Sequence, residues 1–292
     1  MRSRLRTRAT IAALAVAILA AAWLALSAVL LPEPPAPREI LLGAGLVCLC
    51  LFVIIGALAI IEARALRRAE ERMRRFLADA SHELRTPIAG IQASAETLLR
   101  TSPDPATREK LVLQILRQGH RAGRLIDDLL AITRLEQGVP LDRKRFDLAP
   151  LTAAAVESTR ELAPAVSIQL HVPSQVYLHG DPERIRQVLD NLMSNARHAT
   201  PEGGQITVRV TDRAAGIQVE VTDTGPGVPP PDRERIFERF TRLNDTYPPG
   251  TGGNGLGLAI ARSIATAHSG TLTCDAPNEK GARFQLWLPK TR

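Results

Sequence analysis

His82 stands next to Glu83, with Thr86 one helical turn on and Pro87 after it. Imidazole is nucleophilic near neutral pH and can hold and pass on a transferred group. A neighbouring carboxylate can take or orient its proton. Asn191, Asn195 and His198 follow one another at spacings of four and three, which is one edge of a helix. Amide oxygens there suit Mg2+, which prefers oxygen ligands and keeps several waters. Asp223-Thr-Gly225-Pro-Gly227 ends a strand-like run, and its glycines let the backbone approach a ligand closely. Gly252-Gly253-Asn254-Gly255-Leu256-Gly257-Leu258 leads into an apolar-striped segment, so several backbone N–H groups gather at a helix start and form an anion site. This loop lacks the Lys-Ser/Thr of a P-loop and the strand–helix–strand setting of a dinucleotide fold.

These residues need elements to hold them. Leu66, Ala69, Met73, Phe76 and Ala80 repeat at alternating spacings of three and four, a heptad seam. With Ala80 on the seam, His82 faces outward. Pro87 cannot donate to the Glu83 carbonyl, so a kink or loosened turn is expected there. Leu111, Ile115, Ala122, Leu125, Leu129 and Ile132 form a second stripe, and the proline-bearing stretch 101–107 reads as a turn between the two. Two striped helices make an antiparallel hairpin, and pairing of two hairpins into a dimeric four-helix bundle would cover the stripes. A polar linker follows. Beyond it, Val166–Val172, Ile206–Thr211, Ile217–Asp223, Thr271–Asp275 and Phe284–Leu288 read as strands. Three helices are expected among them, the first capped by Asp181 with Pro182 at its first position and an apolar face of Ile185, Val188, Leu189, Leu192 and Ala196. A short amphipathic helix is expected at Ile236–Phe240. Residues 241–250 lack apolar periodicity and should form a mobile lid.

The net charge of +7 is unevenly spread: residues 1–75 hold 11 arginines and 5 acids, whereas the rest is close to neutral. A nucleic-acid binder would carry its basic excess on the soluble part, so no nucleic-acid partner is expected. Thr10–Leu31 and Ile40–Ile61 contain no charge and are long enough to span a bilayer. Basic arms flank them, Arg2–Arg8 before and Arg64–Arg75 after, and both should be cytoplasmic. The reading is a transmembrane helical hairpin in the bacterial inner membrane, multi-pass, with cytoplasmic soluble domains and a short external connection at 32–39 that leaves no room for an outer ligand domain. A signal peptide is the alternative for the first span, disfavoured by its length and by the span that follows. The 3 cysteines form no Cys-x-x-Cys pair, so neither zinc nor a disulfide framework is indicated.

The run Phe76-Leu-Ala-Asp-Ala-Ser81-His82-Glu83-Leu-Arg-Thr86-Pro87 resembles the H-box of sensor histidine kinases of two-component systems. The resemblance implies that His82 is the phospho-acceptor and Glu83 its general base or orienter, and that Thr86 positions water when phosphate is removed from the partner. Asp190-Asn191-Leu-Met-Ser-Asn195-Ala resembles the N-box, which implies Asn195 on Mg2+ with Asn191 supporting metal and phosphates. Asp223-Thr-Gly225-Pro-Gly227 resembles the G1 box, with Asp223 accepting from the adenine amino group. Ile236-Phe237-Glu-Arg239-Phe240 resembles the F-box. Gly252, Gly253, Gly255 and Gly257 fall in a stretch similar to the G2 box, which cradles phosphates. Arg239 or Arg242 could add positive charge at the transfer step. Two positions depart from the pattern: His198, preceded by Arg197, stands where a basic residue is usual, and Ala199 replaces an aromatic.

The implied domains are an arm at 1–9, two membrane helices at 10–61, a dimerisation and phosphotransfer domain at 62–137, a linker at 138–145, and an α/β sandwich ATP-binding domain of the GHKL (Bergerat) type at 146–292. The implied enzyme is a protein histidine kinase that uses ATP and Mg2+, phosphorylates itself on His82, passes the group to an aspartate of a response regulator receiver domain, and works as a homodimer. Two rivals stand against it. A hydrolytic ATPase of the same fold needs a glutamate to activate water where this chain has Asn191, and a non-catalytic membrane scaffold would need no nucleotide boxes.

Overall fold

The structure is a computed structural model that describes residues 37–138, 140–243, 254–276 and 280–290. The expected first span, the arm before it and most of the external connection lie outside the described residues. Helix α1, Pro37–Thr101, opens on a proline, tolerated in a first turn because its missing N–H has no partner there anyway. It thus begins within the stretch read as connection. Among the described residues, Cys48–Arg67 alone is long and apolar enough to cross a membrane, 20 residues with none of that window buried. It overlaps the expected second span. The chain divides into two compact units after Arg75.

In the second unit, α1 continues through Pro87 as one unbroken helix. The expected loosening does not interrupt it. The Pro87 ring is buried. Helix α2, Pro105–Glu136, starts at Asp104, whose carboxylate accepts the N–H groups of Ala106 and Thr107 at 3.0 and 3.1 Å. Of the two stripes, Phe76, Ala80, Leu125 and Ile132 are buried, whereas Leu66 and Met73 at the start of the first stripe are exposed. Leu111, Ile115, Ala122 and Leu129 are half-buried.

The C-terminal half begins with β1 (Lys144–Asp147), which takes in the end of the expected linker. Helix α3 (Leu148–Leu162), β2 (Ser167–His171), β3 (Tyr177–Gly180), α4 (Pro182–Ala199), β4 (Gln205–Asp212) and β5 (Gly216–Asp223) follow. Then come α5 (Gly257–Ala267), β6 (Thr271–Asp275) and β7 (Arg283–Pro289). The five expected strands are present to within two residues at each end and form one sheet in the order β2-β4-β5-β7-β6, parallel only between β2 and β4. Period-two alternation turns Ile206, Val208, Val210, Ile217, Val219, Val221, Phe284, Leu286 and Leu288 inward, where the helices cover them. Sequence reading passes over α3 and over the two-stranded pair β1–β3. The expected helix at Ile236–Phe240 is a single tight turn, Arg235–Phe237, bearing buried Ile236 and Phe237.

One cluster ties the linker to both site-bearing helices. His268, 5% exposed, puts Nδ1 against the Ile264 carbonyl at 2.9 Å and accepts the Asp181 N–H on Nε2 at 3.0 Å. A carbonyl only accepts and an amide N–H only donates, so the ring is neutral with its proton on Nδ1. The Asp181 carboxylate caps α4 at the Arg184 N–H and accepts the Asp142 N–H at 3.1 Å. Arg143 donates to the Ala267 carbonyl at 2.8 Å. Burial, and then the Arg143 guanidinium, hold the His268 pKa below the ordinary histidine range despite the Ile264 bond. The unfolded chain therefore takes up a proton near pH 6.5 that the folded ring refuses, and stability falls as pH drops through that value.

Gly180 packs directly on this ring: a Cβ there would lie 2.9 Å from His268 Cδ2. Gly180→Ala should therefore lower stability by about 1–3 kcal/mol, read as a lowered thermal midpoint. His268→Gln should flatten the loss of stability of the native chain between about pH 7 and about pH 5.5. A G180A midpoint equal to wild type would show that the ring is not held where the structure has it.

Candidate active site

Asp223 ends β5 on its inward row, after Ile217, Val219 and Val221. It is 1% exposed. Its Oδ1 accepts the N–H groups of Gly225 at 2.9 Å and Ala282 at 3.3 Å, while Oδ2 is buried with no hydrogen-bond partner. Burial raises its pKa, and the two N–H bonds oppose that rise. Three glycines crowd it. A Cβ at Gly225 would meet the Ala199 carbonyl, one at Gly227 (φ +80) the Gly281 carbonyl, and one at Gly281 (φ +92) the Asp223 carbonyl. An orphaned acceptor ringed by bare backbone fits a flat heterocycle that offers an N–H. Gly281 and Ala282 were missed by sequence reading. The available signal was a glycine just ahead of the strand that pairs with β5.

Asn191, Asn195 and His198 share one edge of α4, as their spacing predicts. Asn191 faces the start of α5: a Cβ at Gly257 would lie 3.2 Å from Asn191 Oδ1, and Asn191 Nδ2 is buried with no partner. Helix α5 opens with no side-chain cap on its first N–H groups. An uncapped helix start beside an unsatisfied amide suits the phosphate end of a nucleotide. Gly255 (φ +68) is stitched to the F-box end by the Phe240 N–H, which donates to its carbonyl at 2.9 Å. Gly252 and Gly253, with most of the expected lid, lie outside the described residues.

His82 is exposed, as its register against buried Ala80 requires. Its Nδ1 lies 3.5 Å from Arg85 Nη1, at the long limit for a hydrogen bond. Glu83 is half-buried and Thr86 exposed. The hairpin and the C-terminal half meet close by. The rings of Phe76 and Phe240 stand 6.1 Å apart, and the Arg239 guanidinium lies 5.0 Å over Phe76. Arg239 therefore sits on the hairpin in this structure, and Arg242 is exposed.

Residues 72–138 match the His Kinase A (phospho-acceptor) domain, and residues 180–292 match the histidine kinase-, DNA gyrase B- and HSP90-like ATPase. The chain belongs to the sensor histidine kinases. It is 37% identical over 237 residues to the probable sensor histidine kinase TcrY of Mycobacterium tuberculosis, 79% of this chain and 50% of that one. Sensor histidine kinase RppB of Synechocystis is 36% identical, covering 80% of this chain and 52% of its own. The chain thus spans about half the length of the relatives it matches. Among solved structures, histidine kinase ThkA in complex with response regulator protein TrrA is similar with a TM-score of 0.61 at 27% identity, over 77% of this chain and 65% of that chain. ShkA in complex with AMPPNP is similar at 0.55 and 29%, over 73% and 45%.

If Asp223 Oδ2 meets an adenine amino group, Asp223→Asn should turn an acceptor into a donor facing a donor. ATP affinity measured by titration calorimetry should fall about a hundred-fold. The unfolding midpoint without ATP should hold or rise, because a buried charge is removed. Unchanged affinity would place the base elsewhere.

Proposed function

We propose that this chain is an ATP-dependent protein histidine kinase that phosphorylates itself on His82 and hands the group to an aspartate of a response regulator. The observation that carries this is the joint between the halves. Phe76, six residues before His82 on α1, packs on Phe240 at the root of the segment leading to the glycine loop. An exposed imidazole and a nucleotide cleft thus share one packed unit.

In the proposed step a His82 ring nitrogen attacks the γ-phosphorus in line. The bond to the β,γ-bridging oxygen breaks, ADP leaves with that electron pair, and Glu83 takes or stabilises the proton on the other ring nitrogen. Asp223 with Gly225 and Gly227 would hold the adenine, and Gly252, Gly253, Gly255 and Gly257 with the start of α5 the phosphates. Mg2+, held by the Asn195 amide oxygen with support from Asn191 and by the phosphates, would neutralise charge on the phosphate oxygens. The fit is chemical: the described residues hold no cluster of His, Cys, Asp or Glu for a metal, the Asn195 amide offers the oxygen that Mg2+ prefers, and the unsatisfied Nδ2 of Asn191 is a donor that suits a phosphate oxygen. Arg239 or Arg242 would join after release from the hairpin contact, and Thr86 would orient water for phosphate removal. The bound AMPPNP of ShkA and the response regulator on ThkA support the ligand and the partner.

A homodimer is supported by α2, where exposed Val112, Leu116, Ile126 and Leu130 share a face with Gly119 and Gly123, about which no neighbour lies within 4 Å. Anchoring in the bacterial inner membrane, with the soluble domains cytoplasmic, is supported by Cys48–Arg67, by the exposed Arg64 and Arg67 at its end and by the exposed Arg74 and Arg75 beyond it. The short stretch 32–39 points to sensing within the bilayer or through a partner.

His82→Gln should remove ATP-derived acid-labile label from the protein without loss of ATP binding, and Glu83→Gln should slow labelling about a hundred-fold. Label that persists in H82Q would overturn the assignment. Replacing residues 1–61 by a soluble dimeric coiled coil should leave labelling intact and abolish its regulation, and retained regulation would rule out a bilayer sensor.

A further inference from the structure

His198 occupies the position where the resemblance places a basic residue, yet its contacts are those of a neutral ring. Nδ1 lies 2.6 Å from the Ser194 carbonyl, which can only accept, so this nitrogen carries the proton. Nε2 lies 3.0 Å from Arg197 Nη2, which can only donate, so this nitrogen offers its lone pair. The charged groups facing the ring are both cations: Arg197 on its own helix and Arg124 from α2 of the hairpin, with Asp128 near Arg124. Burial first, then these guanidiniums, depress the His198 pKa against the Ser194 bond. A ring held this way brings no positive charge to the cleft.

Arg197 does carry charge. Residues 197 and 191 are not on the same side of α4, since six residues turn a helix through about 600°. The contact to Nε2 nevertheless draws the guanidinium towards the Asn191–Asn195–His198 edge, on which Asn191 faces the start of α5. Resting on the reading that this cleft binds ATP, we infer that Arg197 is the cation that meets the nucleotide phosphates and that His198 is a positioning residue that aims it. The chain thereby meets by an arginine–histidine pair the need that the family pattern assigns to one basic side chain.

The pair predicts a pattern no single contact gives. In the full chain in detergent, ATP and adenosine are compared by displacement of a fluorescent ATP analogue. Arg197→Gln should weaken ATP about ten-fold, the effect of losing one charge-assisted hydrogen bond, and leave adenosine unchanged. His198→Gln places an amide oxygen near the position of Nε2 and keeps an acceptor for Arg197 that does not titrate, so it should hold ATP affinity within about three-fold at neutral pH. Wild type should lose about ten-fold in ATP affinity from about pH 7.5 to about pH 5.5, as a protonated ring repels Arg197, and H198Q should lose much less. Asp128, whose pKa is raised to about 6, titrates in this window, so the pH series is repeated in Asp128→Asn. An R197Q protein that binds ATP like wild type overturns the inference, as does equal weakening of ATP and adenosine or an acid limb that follows Asp128 rather than His198. Failure of wild type itself to bind ATP would instead overturn the parent reading.

Discussion

The nucleotide half depends on a carboxylate standing where the core would take a hydrophobic side chain. The inward row of β5 runs Ile217, Val219, Val221 and then Asp223. Leaving one of its oxygens buried and unpaired costs about 1–3 kcal/mol, so the free protein carries a local deficit that a ligand N–H can remove. The rest of the local architecture follows. The partners of Oδ1 are backbone N–H groups from two separate segments, at Gly225 and Ala282, so those segments must approach to within hydrogen-bonding distance of one side chain. That is possible only where Cβ atoms are missing, which explains glycine at 225, 227 and 281. It also explains why β7 lies next to β5, since their pairing delivers Ala282 to Asp223.

The hairpin obeys the opposite requirement. A phospho-acceptor must be reached by a nucleotide and by a partner, so His82, in its proposed role, has to be exposed on a helix whose neighbouring turns are buried. The register meets both needs, with Ala80 at 6% exposure on one side and buried Pro87 on the other. The same stripe supplies Phe76, which reaches the nucleotide half through Phe240. Phe240 has a left-handed backbone, φ +58, a conformation that a bulky residue adopts only when its surroundings impose it. Here those surroundings are its N–H bond to the Gly255 carbonyl and the Phe76 ring. The root of the glycine loop is thus fixed from both sides.

What could be read in the sequence follows from how local each constraint is. The helix edge carrying Asn191 and Asn195, the outward register of His82 and the five sheet strands depend on spacings within a few residues, and all appear in the structure. Helix α3 was passed over because Leu148–Leu162 is rich in alanine, and Ala155 and Ala149 bury without giving a strong apolar period. The pair β1–β3 has four residues per strand and only every second residue of β3 buried. Gly281 was missed because it matters only through Asp223, 58 positions away. Pro87 lies inside a helix that runs on without a break, and its ring is buried.

The identity of the residue holding an arginine decides what that arginine can do. Arg186 bonds both Glu183 and Asp190, and Arg283 forms a two-pronged pair with Asp275. Such arginines are neutralised by their partners and serve the fold. Arg197 is held by the lone pair of an imidazole, which directs the guanidinium without cancelling its charge. A carboxylate at position 198 would fix Arg197 more firmly, and would also set a negative charge on the edge proposed to receive phosphates. A lysine there would bring its own charge and push Arg197 away. A neutral acceptor is the one side-chain chemistry that orients a cation and leaves its full charge to an anionic ligand, and the Ser194 carbonyl keeps the ring in the tautomer this demands.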